Sequence, residues 1–240
     1  MKTCMAIVCA LGLALPSAFA ATFQNLDFDS ATTNITLSLP PDQGVGYGPA
    51  SDLLPGWQLF QGTDPVSLVG YDLYPISFRV ASLYDANSQG FPAPVSGRYS
   101  LGLYPGYNDN APFEYQPFSL VQTGDIGANV QSIRFINYGG PFELRVNGTL
   151  IPLSYEYQVA GTNLDTRLAN VTGDVTAFAG QTVQLKFTTV DVAGSVVNGL
   201  DVIELSTQAA PEPGETALFL LGLCLMGYEF GRRRRSGARK

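Results

Sequence analysis

Between Ala21 and Ala210 apolar residues recur at alternate positions and nowhere sustain the 3.6-residue period of an amphipathic helix, so this stretch must build its core from strands. Thr182-Val183-Gln184-Leu185-Lys186-Phe187 sets Val183, Leu185 and Phe187 on one face and Gln184 and Lys186 on the other, the pattern of a half-buried antiparallel strand. Phe142, Leu144 and Val146 alternate with Glu143 and Arg145. The run then meets Asn147-Gly148, a pair that tolerates the positive φ angles of a type I′ turn, and resumes at Thr149-Leu150, which predicts a hairpin.

Further strands are expected at Phe23–Phe28, Ile35–Leu39, Trp57–Phe60, Ile76–Val80, Tyr99–Leu103, Phe118–Gln122, Ser132–Ile136, Tyr155–Val159 and Asp201–Leu205, divided by Gly, Pro and Asn turns. Asp174–Phe178 reads as one short helical turn with Asp174 as its cap, Trp57 as a core residue at a strand start, and the Gly/Pro-rich stretch Pro40–Pro55 as a long surface loop. Many strands without helices must bury their apolar faces against each other. The expected fold is therefore all-β, a two-sheet antiparallel β-sandwich occupying residues 21–210 as one domain.

That body contains neither cysteine nor histidine. Cys4, Cys9 and Cys224 all lie outside it and the chain has no histidine, which removes disulfides, thiolate nucleophiles, imidazole metal sites and every Ser-His-Asp or Cys-His arrangement. Its six basic residues stand against seventeen acidic ones, a net charge of −11 that repels nucleic acid and attracts cations. Acids such as Asp109 and Asp174 sit in turn contexts that capping explains. No catalytic pair is identifiable, and the body reads as non-enzymatic.

The two ends read as addresses. Lys2, the apolar run Met5–Leu15 and the small residues around Ala18-Phe19-Ala20 form a signal peptide over residues 1–20, with cleavage before Ala21 and export by the Sec machinery. At the other end Pro211-Glu212-Pro213 keeps the chain extended. A helix over residues 216–231, apolar all round from Ala217 to Tyr228, is expected to enter the inner membrane, and Arg232, Arg233, Arg234 and Arg235 in the basic end 232–240 hold that end in the cytoplasm. The span is shorter than the roughly 20 residues that cross a bilayer comfortably, which suits a transient anchor.

In these residues the tail 211–240 resembles the PEP-CTERM sorting tail of bacterial envelope and biofilm proteins: Pro-Glu-Pro, a short hydrophobic helix, an arginine cluster. The resemblance implies an exosortase-type processing enzyme as partner, recognising Pro211-Glu212-Pro213, and delivery to the cell surface or extracellular matrix. The alternative is an ordinary single-pass tail anchor.

Phe23–Asp29, Leu54-Pro55-Gly56-Trp57 and Asp174–Phe187 with Leu200-Asp201-Val202 resemble galactose-binding-like jelly rolls, modules found among carbohydrate-binding and adhesion domains. A jelly-roll-like sandwich is what that resemblance implies. Asn25, Asp27 and Asp29 lie two apart, on one face if this segment is a strand, and with Asp201 they would supply oxygen ligands for a structural Ca²⁺ of the kind many such modules bind. The other reading is a solvated polar face. Tyr71, Tyr74, Tyr84, Tyr104 and Tyr107 stand near loop amides and acids, either as a platform for sugar rings or as packing residues. The function expected is that of an exported structural or adhesive protein. A lectin-like module holding extracellular polysaccharide is the alternative, and a polysaccharide-active enzyme a second one.

Overall fold

The computed structural model describes residues 22–38, 46–73, 80–87, 96–105, 115–158, 168–190 and 197–211. The signal peptide with Ala18, Ala20 and Ala21, the motif residues Glu212 and Pro213, the segment 216–231 and Arg232 to Arg235 lie outside them, as do Tyr74 and Tyr107. Among the described residues no helix is long and apolar enough to cross a membrane.

The chain runs β1 (Leu37–Ser38), β2 (Gly46–Pro49), α1 (Ala50–Leu53), β3 (Gln58–Gln61), β4 (Asp64–Pro65), β5 (Leu68–Tyr71), β6 (Val80–Asp85), β7 (Tyr99–Tyr104) and β8 (Phe118–Asp125). It continues through β9 (Ser132–Gly139), β10 (Phe142–Val146), β11 (Thr149–Ile151), β12 (Leu153–Tyr157), β13 (Leu168–Asp174), β14 (Thr182–Thr189) and β15 (Asn198–Ser206). Two sheets form, one in the order β1-β2-β5-β6-β7-β15-β9-β13-β12 and one in the order β11-β10-β14-β8-β3-β4. The pairing is antiparallel apart from β5 with β6. This is an all-β, two-sheet sandwich, and its last strand is a central one, laddered to β7 on one side and β9 on the other.

Alternation accounts for the layers. Val183, Leu185 and Phe187 of β14 are buried, as are Leu144 and Val146 of β10 beside them, and Ile133, Phe135 and Val171 meet them from the other sheet. Phe187 stands at the centre, its ring 5.3 Å from Phe135, 6.2 Å from Trp57 and 6.4 Å from Phe142 between centroids, each edge-on. Asn147 at φ 49° and Gly148 at φ 79° make the two-residue turn of the β10–β11 hairpin. Asp174 Oδ1 accepts the N–H of Thr176 at 2.8 Å and opens a single 3-10 turn, Thr176–Phe178.

Several expectations are corrected. Phe23–Phe28 is a turn and not a strand, because Asn25 (φ 50°) and Phe28 (φ 61°) are left-handed and drive the Phe28 ring into the core against Trp57. Pro40–Pro55 is no plain loop: β2 and α1 lie in it, and Leu53 and Leu54 are fully buried. The expected strand at Tyr155–Val159 starts earlier, as β12, and β6 runs on from Val80 to Asp85, while residues 76–79 and 159 lie outside the described residues.

Candidate functional site

Asn25, Asp27, Asp29 and Asp201 belong to one end of the sandwich. The turn containing the first three is stitched to β15 where that strand bulges between Asp201 and Glu204: the N–H of Ile203 donates to the Leu26 carbonyl at 2.9 Å, and Val202 takes φ 47°. The oxygens that would face a cation already accept N–H groups. Asn25 Oδ1 takes the N–H of Ser30 at 2.9 Å and Asp27 Oδ1 that of Asp29 at 3.2 Å. Asp29 Oδ1 takes those of Arg98 and Tyr99 at 2.7 and 2.9 Å, while Asp201 Oδ2 takes that of Ser96 at 3.2 Å and its Oδ1 that of Val202 at 2.8 Å.

Gly97, at φ 64°, lets this backbone come so close that a Cβ there would lie 2.0 Å from Asp29 Oδ2. Peptide N–H groups of Ser96, Arg98 and Tyr99 thus supply positive charge to the Asp29 and Asp201 carboxylates, and no group of three or more His, Cys, Asp or Glu among the described residues is placed to hold a metal.

Of the candidate tyrosines among the described residues, Tyr84 and Tyr104 are buried and Tyr71 is half-buried. Tyr71 donates to Asp85 Oδ2 at 2.6 Å, and the buried Tyr84 and Tyr104 share a 2.7 Å hydrogen bond, with Tyr84 also 2.8 Å from the Leu73 carbonyl. Burial pushes the Tyr84 and Tyr138 phenols far above their ordinary range. The reason these rings lie flat on the outer face of the nine-stranded sheet is a pair of opposed glycines, Gly102 in β7 and Gly199 in β15. A Cβ on Gly199 would stand 1.9 Å from the Tyr138 ring, and one on Gly102 would stand 2.6 Å from Tyr84. Tyr71, Tyr84 and Tyr104 therefore pack the body and form no open sugar platform.

Asp85 closes this end from the core side. Burial pushes its carboxyl up, but hydrogen bonds from Tyr71, from the Asn87 backbone and from Arg98 outweigh that and hold it below the usual carboxylate range. Arg98 Nη2 lies 3.0 Å away.

A trough of about 410 Å³ opens on the outer face of the nine-stranded sheet, where β15, β9, β13 and β12 lie side by side. Two cross-strand rows form its floor. Glu204, Arg134 and Thr172 are register partners in one, and Ile136, Asn170 and Glu156 in the next. Their chain neighbours Ile133, Phe135 and Val171 point into the core, so these side chains point out. Val202, thrown outward by the bulge, and Pro211 form walls. Arg134 is half-buried, its Nε lies beneath the surface without a hydrogen-bond partner, and it forms no ion pair among the described residues. These residues lie up to about seventy positions apart and meet only through strand register, which no local pattern announces.

No family and no curated protein matches the chain. Among solved structures, the enzymatically active domain of tailspike protein 4 of bacteriophage CBA120 is similar at 13% identity and a TM-score of 0.33, over 62% of this chain and 19% of that one. This chain thus covers about a fifth of that structure's length, and a likeness so slight carries no argument about chemistry.

Proposed function

We propose that this chain is an exported structural or adhesive protein of a bacterial envelope, carried to the surface or extracellular matrix by its PEP-CTERM-like tail. The observation that supports the reading is where the described strands end. β15, a central strand, closes at Ser206, and its exit is pinned by Ser132 Oγ donating to the Gln208 carbonyl at 2.7 Å and by the N–H of Gln131 donating to the Ser206 carbonyl at 2.8 Å. Pro211, exposed, follows. Among the described residues every strand and every buried core side chain precedes Glu212, so cleavage at the motif would remove none of them.

On this reading the Sec machinery exports the chain, the segment 216–231 holds it in the inner membrane, and Arg232 to Arg235 fix its orientation until an exosortase-type enzyme reads Pro211-Glu212-Pro213. The body performs no catalysis and binds no nucleic acid. Replacing Pro211, Glu212 and Pro213 together by alanine in the native host is expected to strand the chain in the inner membrane while the parent reaches the surface or medium. Equal delivery of both would refute recognition of the motif.

A further inference from the structure

We propose that the trough around Arg134 is a binding site for a neutral polyhydroxyl ligand, a short run of sugar rings. It gives the adhesive reading above a specific ligand class, and rests on that reading only for where the chain would meet such a ligand. An Arg whose Nε is withdrawn from water without a hydrogen-bond partner is a costly feature, and such a group marks a place where a missing partner belongs.

Charge narrows the partner. Glu204 stands beside Arg134 and Glu156 lies in the next row, so the floor carries one positive and two negative groups within a body of net charge −11, which disfavours phosphate or another anion. The central guanidinium equally disfavours a metal ion. The one aromatic residue of the lining, Phe135, turns its ring into the core against Phe187, so no ring faces the trough to stack on a nucleobase. An extended peptide added as a strand would lie along the outer edge of β12, beside the floor, because β9 and β13 are laddered on both sides.

What remains is a ligand whose groups both donate and accept. Vicinal hydroxyls fit: they accept from the Arg134 fork, donate to Glu204 and Glu156, and do either with Asn170 and Thr172. The side chains in each row repeat at the strand spacing of about 4.8 Å, comparable with the length of one pyranose ring. The volume, about 410 Å³, lies in the range of ligand sites and leaves room for more than one ring.

The test uses the full chain, purified in a detergent without a sugar headgroup, and saturation-transfer NMR against short neutral gluco-, manno- and galacto-oligosaccharides, with polygalacturonate as the acidic comparator. At least one neutral probe is expected to receive saturation, with affinity falling on the order of tenfold in Arg134→Ala and in Asn170→Ala and unchanged in Gln184→Ala on the opposite sheet. Thermal midpoints identify any variant that fails to fold, and Glu204→Gln supplies a third probe of the same floor. Silence from every neutral probe, binding that survives both trough substitutions, or binding confined to polygalacturonate would each overturn the proposal. Because the chain is tested after purification, none of these outcomes depends on how its tail is processed.

Discussion

The carboxylate of Asp29 accepts the backbone N–H of Tyr99 at 2.9 Å across seventy residues of chain, and the same oxygen takes the Arg98 N–H at 2.7 Å. One side chain thereby fastens the first turn of the body to the start of β7. It does so with charge-assisted bonds, which are stronger than neutral ones and need no ion to complete them.

Asp29→Ala should lower stability by about 1–2 kcal/mol, discounted for the exposure of the carboxylate, and should shift the urea midpoint without changing the slope. Calcium and chelator should leave the midpoint of the parent protein where it was, since Asn25 Oδ1, Asp27 Oδ1, Asp29 Oδ1 and both Asp201 oxygens already accept N–H groups. A rise in melting temperature with calcium would restore a cation to this end of the sandwich.

Two glycine substitutions should separate close packing from backbone strain. Gly199→Ala places a methyl group 1.9 Å from the Tyr138 ring in a buried layer and should cost about 3 kcal/mol or more. Gly148→Ala meets nothing within 4 Å and should cost only about 1 kcal/mol, from forcing alanine to φ 79°. Denaturant unfolding of the pair gives the contrast directly.

Acid should destabilise the fold partly through Asp85. Its carboxyl is held below the ordinary value, so its contribution is complete above the unfolded pKa of about 3.9 and is lost as pH falls through the lower folded value. Asp85→Asn should be less stable than the parent at neutral pH and show a shallower loss below about pH 4. An unchanged acid profile would contradict the role.

At the alkaline end the sign reverses. Tyr155, whose hydroxyl donates to the Phe142 carbonyl at 3.0 Å and accepts its N–H at 3.1 Å, is pushed up by burial to about 12. Its contribution is complete below the unfolded pKa of about 10 and disappears as pH rises through about 12. Tyr155→Phe should flatten the loss of stability over that interval, read from unfolding midpoints as pH is raised.

What could be read from the sequence was whatever depends on near neighbours. The alternation of β14, the Asn147-Gly148 hairpin and the place of Trp57 each follow from a few adjacent residues. The β2–α1 corner was missed because Gly46-Tyr47-Gly48-Pro49 shows no apolar alternation, although Leu53 and Leu54 behind it fill the core. The Phe23–Phe28 turn was misread because its residues alternate like a strand. Asn25 is a residue that tolerates left-handed backbone, but nothing marks Phe28 as one. The packing of Tyr84 is not legible in the sequence because the flat space above Gly102 and Gly199 exists only once β7 and β15 are paired. The trough was invisible for the same reason: Arg134 and Glu204 become neighbours only through the register of β9 with β15.

The measurement that bears most directly on the central claim is mass-spectrometric mapping of both ends of the protein recovered from the envelope and medium of its native host. The expected product begins at Ala21 and ends near Pro213, without the arginine cluster. A chain that keeps Arg232 to Lys240 and stays in the inner membrane would contradict sorting and make the tail a simple anchor.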